Sequence, residues 1–177
     1  TLGALVQDAE GKQYILSNNH VMGLSNNALP GDGVNQPGLI DQSCGPYGVV
    51  ATLDSFVPIQ FSDGTRKPPT NIADAAIAEV LDGHVRADDA ILDIGPVSSN
   101  TMEARMKQSV QKSGRTTGHT IGTVRSVNVT IDVGYSDECG GPVTRVARFT
   151  DQIRIESGSF SAGGDSGSLI VEHGSAD

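Results

Sequence analysis

Three short segments carry side chains that could do nucleophilic chemistry together. Ile15-Leu16-Ser17-Asn18-Asn19-His20-Val21 brings an apolar run to a histidine. Asn71-Ile72-Ala73-Asp74-Ala75-Ala76-Ile77-Ala78 sets an aspartate just before another such run, and Gly163-Gly164-Asp165-Ser166-Gly167-Ser168 sets a serine in a glycine turn. A serine hydroxyl is a poor nucleophile near neutral pH and needs an adjacent base. Histidine suits that task because its unperturbed pKa is about 6.5. An aspartate beside it fixes the tautomer and stabilises the imidazolium. The expected roles are therefore Ser166 as nucleophile, His20 as general base and Asp74 as the group that orients the histidine. Taken singly, each residue also reads as an ordinary strand end, turn former or flexible loop; the combination carries the chemistry. Asp89, in Asp89-Ala90-Ile91-Leu92, fits the aspartate pattern as well. Asp74 is preferred because a cleaner apolar run follows it and because Asp89 falls in an expected connection.

Chain order separates the known solutions to this chemistry. His, then Asp, then Ser belongs to the chymotrypsin arrangement. An α/β-hydrolase needs the serine first, within G-x-S-x-G, and the histidine last; here position 168 is Ser and only eleven residues follow Ser166. A subtilisin order needs an aspartate ahead of the histidine, and only Asp8 is available.

The elements that must position these residues are short strands. Residues 2–7 and 13–17 predict a hairpin around Gly11. Residues 24–46, rich in Asn, Gly, Pro and Asp, predict a long surface loop. Strands are expected at 47–53, 56–61 and 74–80, with a loop over 62–71. Residues 82–107 read as a connection between two lobes. Val127, Val129, Ile131 and Val133 alternate with polar residues, the period of a half-buried strand. Residues 146–155 continue in that style, 158–167 form a Gly/Ser loop, and 168–171 open one more strand. With no long 3.6-residue period, the pattern is that of an all-β protein.

Asn18-Asn19-His20-Val21 and Gly164-Asp165-Ser166-Gly167 resemble the histidine and serine motifs of the trypsin/chymotrypsin-like serine peptidases, above all their bacterial branch. Val110-Gln111-Lys112-Ser113-Gly114-Arg115-Thr116-Thr117-Gly118, followed by Gly122-Thr123-Val124, is similar to the start of the second barrel in α-lytic protease and the streptogrisins. The resemblance implies two six-stranded antiparallel β-barrels with the active site between them. His20 and Asp74 would lie in a first barrel over 1–85, 86–107 would connect, and Ser166 would lie in a second barrel over 108–177. It implies an oxyanion hole from the N–H groups of Gly164 and Ser166, and no cofactor. It also implies a cation for Asp165, which is expected to be Lys112, with Arg115 as the second candidate. Relatives place the pocket floor at the position of Phe160, an uncharged residue that would favour small or medium substrate side chains. They also continue for two strands beyond residue 177, so the second barrel is expected to look truncated at its C-terminus. Its open edge would be either disordered or covered by a further chain or segment.

The remaining composition mainly excludes functions. A net charge of −9 repels phosphate backbones and argues against nucleic-acid binding. No apolar run reaches transmembrane length, so no membrane partner is expected. Cys44 and Cys139 have no metal-ligand spacing; they could pair with each other or stay as free thiols. His84, His119 and His173 are isolated, and Gly31-Asp32-Gly33 supplies one carboxylate, too few for calcium. No metal is expected. The chain opens at Thr1 without a methionine and reads as processed; the resemblance favours a secreted or extracytoplasmic location. The expected function is a serine endopeptidase working on protein or peptide substrates through an acyl-enzyme. The alternative is an inactive or self-cleaving domain of the same fold used for binding or scaffolding.

Overall fold

The computed structural model describes residues 1–38, 41, 48–64, 67–86, 88, 90–136, 141–156 and 158–174. Cys44, Cys139 and Asp89 lie outside the described residues. In chain order the first strands are β1 (Ala4–Gln7), β2 (Gln13–Ser17), β3 (Gly33–Asn35), β4 (Val49–Phe56), β5 (Thr70–Asn71) and β6 (Ala76–Val80). A two-strand hairpin follows, β7 (Ala90–Ile91) with β8 (Gly95–Pro96). The last are β9 (Ser109–Gly114), β10 (Gly118–Tyr135), β11 (Arg145–Glu156) and β12 (Val171–Glu172). One helical turn, α1 (Asn19–Met22), follows β2 directly. No helix among the described residues is long and apolar enough to cross a membrane.

The strands make two five-stranded sheets, ordered β1-β2-β6-β4-β3 and β12-β9-β10-β11-β5. The all-β reading holds, and the architecture is that of a double β-barrel. The first sheet closes over Ile15, Met22, Val50, Ala51, Leu53, Ala76 and Ala78. The second covers Val110, Val124 and Phe160. A third cluster joins Ile59 to Tyr135, Ala147 and Phe149, so a segment from the first half packs on the second sheet.

Several local expectations need correction. Residues 56–61 are not a strand of their own. β4 runs through to Phe56, and Pro58 then removes a ladder donor. The backbone beyond is satisfied by side-chain amides instead: Ile59 N–H donates to Asn26 Oδ1 (2.9 Å) and Gln60 N–H to Asn71 Oδ1 (2.8 Å). Not all pairing is antiparallel either, since β5 lies parallel to β11 over two residues. The Asn71 amide sets that contact, donating to Gln60 O and Arg148 O (3.0 and 3.1 Å). The 24–46 segment is no plain surface loop. It contains β3 and a tight turn at Leu24–Asn26, with Ser25 and Ala28 buried. Ile131 is 50% exposed despite the alternation, because β10 shifts register against β11 between Val129 and Ile131. The last strand begins at Val171, because Ser168 is held in a turn on Asp165 O.

Candidate active site

His20 sits in α1, just past β2. Asn19, fully buried, anchors that turn: its amide donates to Asn26 Oδ1 and Val57 O, both at 2.7 Å, and its oxygen accepts Asn26 N–H. Leu24, Ser25 and Asn26 are held at positive φ (49°, 55° and 78°), and these bonds keep that costly conformation in place. Asn18 Nδ2 donates to Asp74 O at 2.6 Å, which ties the histidine turn to the segment entering β6.

Asp74 receives three donors. His20 N–H reaches Oδ1 at 3.0 Å, His20 Nδ1 reaches Oδ2 at 2.6 Å, and the Tyr135 hydroxyl reaches Oδ2 at 3.1 Å. An ionised carboxylate only accepts, so Nδ1 is the protonated nitrogen and Nε2 is left as the base. Burial pushes the Asp74 carboxyl upward. The hydrogen bonds and charge of His20, with the Tyr135 hydroxyl, outweigh it and hold the group below the usual carboxylate range.

Asp165 is buried beneath the serine turn. Oδ1 accepts Thr116 N–H (2.7 Å) and Thr117 N–H (3.1 Å). Oδ2 accepts the Thr117 hydroxyl (2.7 Å), Ala162 N–H (3.0 Å) and Lys112 Nζ (3.3 Å). Lys112 is 1% exposed and Asp165 3%. Arg115, the other candidate cation, points outward to Asp41. Burial pushes Asp165 up, but the Thr117 hydroxyl and the three backbone N–H groups prevail and keep it ionised well below the usual range. Gly114 is required here: a Cβ would stand 2.5 Å from Asp165 Oδ1. Gly114→Ala is expected to destabilise the protein by about 1–3 kcal/mol, because the carboxylate is pinned and cannot yield. Thermal unfolding checks this, and an unchanged melting temperature would sink it.

The serine turn has its carbonyls anchored. Thr116 Oγ1 donates to Gly163 O (2.7 Å), and Ser168 donates twice to Asp165 O, from N (3.0 Å) and Oγ (2.6 Å). In a trans peptide the N–H points opposite to its C=O. Anchoring those two carbonyls therefore aims the N–H groups of Gly164 and Ser166 away from Thr116 and Ser168. Gly164 and Gly167 hold φ of +101° and +88°, a conformation that favours glycine. A cavity of about 300 Å³ is lined by Ser17, Asn18, Asp74, Gly167, Ser168 and Leu169, among others. The structure thus brings His20 to Asp74 and Lys112 to Asp165; Asp74 and the residues just after Ser166 line one cavity, whose lining includes neither His20 nor Ser166. Phe160 is 7% exposed and packs with Val110 and Val124.

Comparison with known proteins agrees with this fold. No family model matches the chain. Glutamyl endopeptidase 2 of Streptomyces griseus is 39% identical over 101 residues, covering 56% of this chain and 46% of that relative. A solved glutamic-acid-specific serine protease, described as using a histidine triad in substrate binding, superposes with a TM-score of 0.59 at 26% identity. That match covers 97% of this chain and 72% of the other. The chain is thus similar to bacterial serine peptidases of the trypsin/chymotrypsin type. Nocardiopsis protease shares the fold, with a TM-score of 0.58 at 17% identity over 97% of this chain and 71% of the other. The chain spans less than half the length of the Streptomyces griseus relative.

Sequence reasoning did not reach several members of this site. Thr116 and Thr117 lie inside the motif at 110–118 but had no assigned task. Asn19 lies inside the histidine motif, and only its complete burial exposes its anchoring role. Tyr135 closes the alternating strand β10, 61 positions from Asp74, and nothing in its spacing points there.

Proposed function

We propose that the chain carries the catalytic groups of a serine endopeptidase that works through an acyl-enzyme intermediate. The contact between His20 Nδ1 and Asp74 Oδ2 at 2.6 Å is the observation that supports this best. Nε2 of His20 takes the Ser166 Oγ proton as Oγ bonds to the scissile carbonyl carbon. The carbonyl oxygen becomes an oxyanion and is received by the N–H groups of Gly164 and Ser166; one such donor contributes roughly 3–4 kcal/mol. His20 then gives the proton to the leaving amine as the C–N bond breaks, and the acyl group stays on Oγ. Water, deprotonated by His20, attacks the ester, and the proton returns to Oγ. Asp74 stays ionised and keeps the imidazole in the working tautomer. Asp165 and Lys112 support the shape of the serine turn.

Proteins or peptides are the proposed substrates, and the proposed place of action is extracytoplasmic. Because the Streptomyces griseus relative is named a glutamyl endopeptidase, peptides with glutamate before the scissile bond are the first to offer. The test is labelling by a fluorophosphonate probe. Ser166 is expected to be phosphonylated, and Ser166→Ala to abolish the label. An unlabelled wild-type chain would sink the peptidase reading and favour an inactive or spent self-cleaving domain used for binding.

A further inference from the structure

We propose that Tyr135 is a positioning residue for the His20–Asp74 pair, its hydroxyl fixing the Asp74 carboxylate in the orientation that holds the imidazole. The inference rests on the serine-peptidase reading and adds a group to it. Tyr135 is the last residue of β10, in the second sheet, whereas His20 and Asp74 belong to segments flanking strands of the first. Its hydroxyl lies 3.1 Å from Asp74 Oδ2, the same oxygen that meets His20 Nδ1 at 2.6 Å. The two donors fill the two lone pairs of Oδ2, and His20 N–H takes Oδ1. A carboxylate with only the histidine donors could turn about its Cβ–Cγ bond or recruit water. The phenol opposes both at Oδ2.

The ring is itself held. It is 6% exposed, stands edge-on to Phe61 (centroids 5.4 Å apart, 82°) and tilts over Phe149 (6.4 Å, 32°). It also meets the His20 imidazole edge-on at 5.9 Å. Burial and the neighbouring Asp74 charge push phenol ionisation far upward, so the hydroxyl keeps its proton and remains a donor. So little of the ring is open that it offers almost nothing to a substrate. The position of the second sheet is thereby read directly by the acid–base pair attached to the first.

Tyr135→Phe keeps the packing and deletes only the donor. Two readouts test it. At saturating fluorophosphonate the labelling rate of Ser166 is expected to fall about tenfold, the scale of one modest hydrogen bond, with the half-saturating probe concentration unchanged. In proton NMR, the far-downfield resonance of the His20 Nδ1 proton, identified by its loss in His20→Ala, is expected to move. A wild-type limiting rate with an unmoved resonance overturns the proposal. So does a raised half-saturating concentration at an unchanged limiting rate, which would make Tyr135 a ligand contact. If the wild-type chain takes no label, the peptidase reading fails by itself. The resonance then decides alone: a shift in Tyr135→Phe upholds the positioning contact, and no shift overturns it.

Discussion

Asp74→Asn is expected to slow phosphonylation of Ser166 by about 10⁴-fold while leaving the fold intact. The reason lies in the direction of every hydrogen bond at this side chain. His20 N–H, His20 Nδ1–H and the Tyr135 hydroxyl all donate to it. A carboxamide offers one acceptor and one donor, so neither of its two orientations suits three donors. With the carbonyl at the Oδ2 position, its NH₂ group opposes His20 N–H. With the amide reversed, NH₂ faces Nδ1 and Tyr135, Nδ1 must become the acceptor, and the proton moves to Nε2. Either way the base is lost or the turn that carries it is strained. Labelling kinetics, with circular dichroism as the control for folding, measure the effect. A loss smaller than tenfold in a folded variant would remove Asp74 from the role proposed for it.

Replacing Lys112 by methionine is the second large effect, and it acts on stability. The ammonium is buried with Asp165, 3.3 Å from Oδ2, and also donates to the Thr117 hydroxyl and to Gly118 O at 3.1 Å. Removing one partner of a buried pair strands the other charge and costs about 3–5 kcal/mol. The lower end is expected, because Asp165 keeps Thr116 N–H, Thr117 N–H, the Thr117 hydroxyl and Ala162 N–H. For a chain of this size that is roughly a 10 °C drop in melting temperature. The pH dependence has a defined sign. Asp165 is depressed in the folded state, so its contribution is complete above the unfolded carboxyl pKa of about 3.9 and is lost as pH falls toward the lower folded value. The Lys112→Met deficit should therefore be largest near neutral pH and shrink only as the pH falls well below about 4, toward the low value at which the folded chain protonates Asp165 and leaves no charge to neutralise. Calorimetry across that range is the measurement. A neutral-pH melting temperature within about 2 °C of wild type would show that the pair contributes little.

Features that depend on neighbours in the chain were legible in the sequence. The hairpin of β1 and β2 follows from two apolar runs around Gly11, which adopts the positive φ (89°) that a tight turn needs. The serine turn is legible because its glycines, aspartate and serine are consecutive, and its conformation is set by φ values that glycine alone takes readily. The period-two stretch at 127–133 announces a strand, although not the 18-residue length of β10 or its bulges. One further choice could have been read locally. Val110 and Lys112 share a face of β9, and both are buried, whereas Arg115 comes after the strand has ended. That alternation already sets Lys112 toward the interior and Arg115 outside it. What only the tertiary structure decided are the contacts across long separations. Examples are the Asn26 and Asn71 amides replacing a ladder at residues 59–60, β5 joining the second sheet, and Tyr135 meeting Asp74. Periodicity records which face of an element is buried, because burial repeats with the geometry of that element. It records nothing about which side chain, tens of residues away, fills the facing position; that is settled when the two sheets pack.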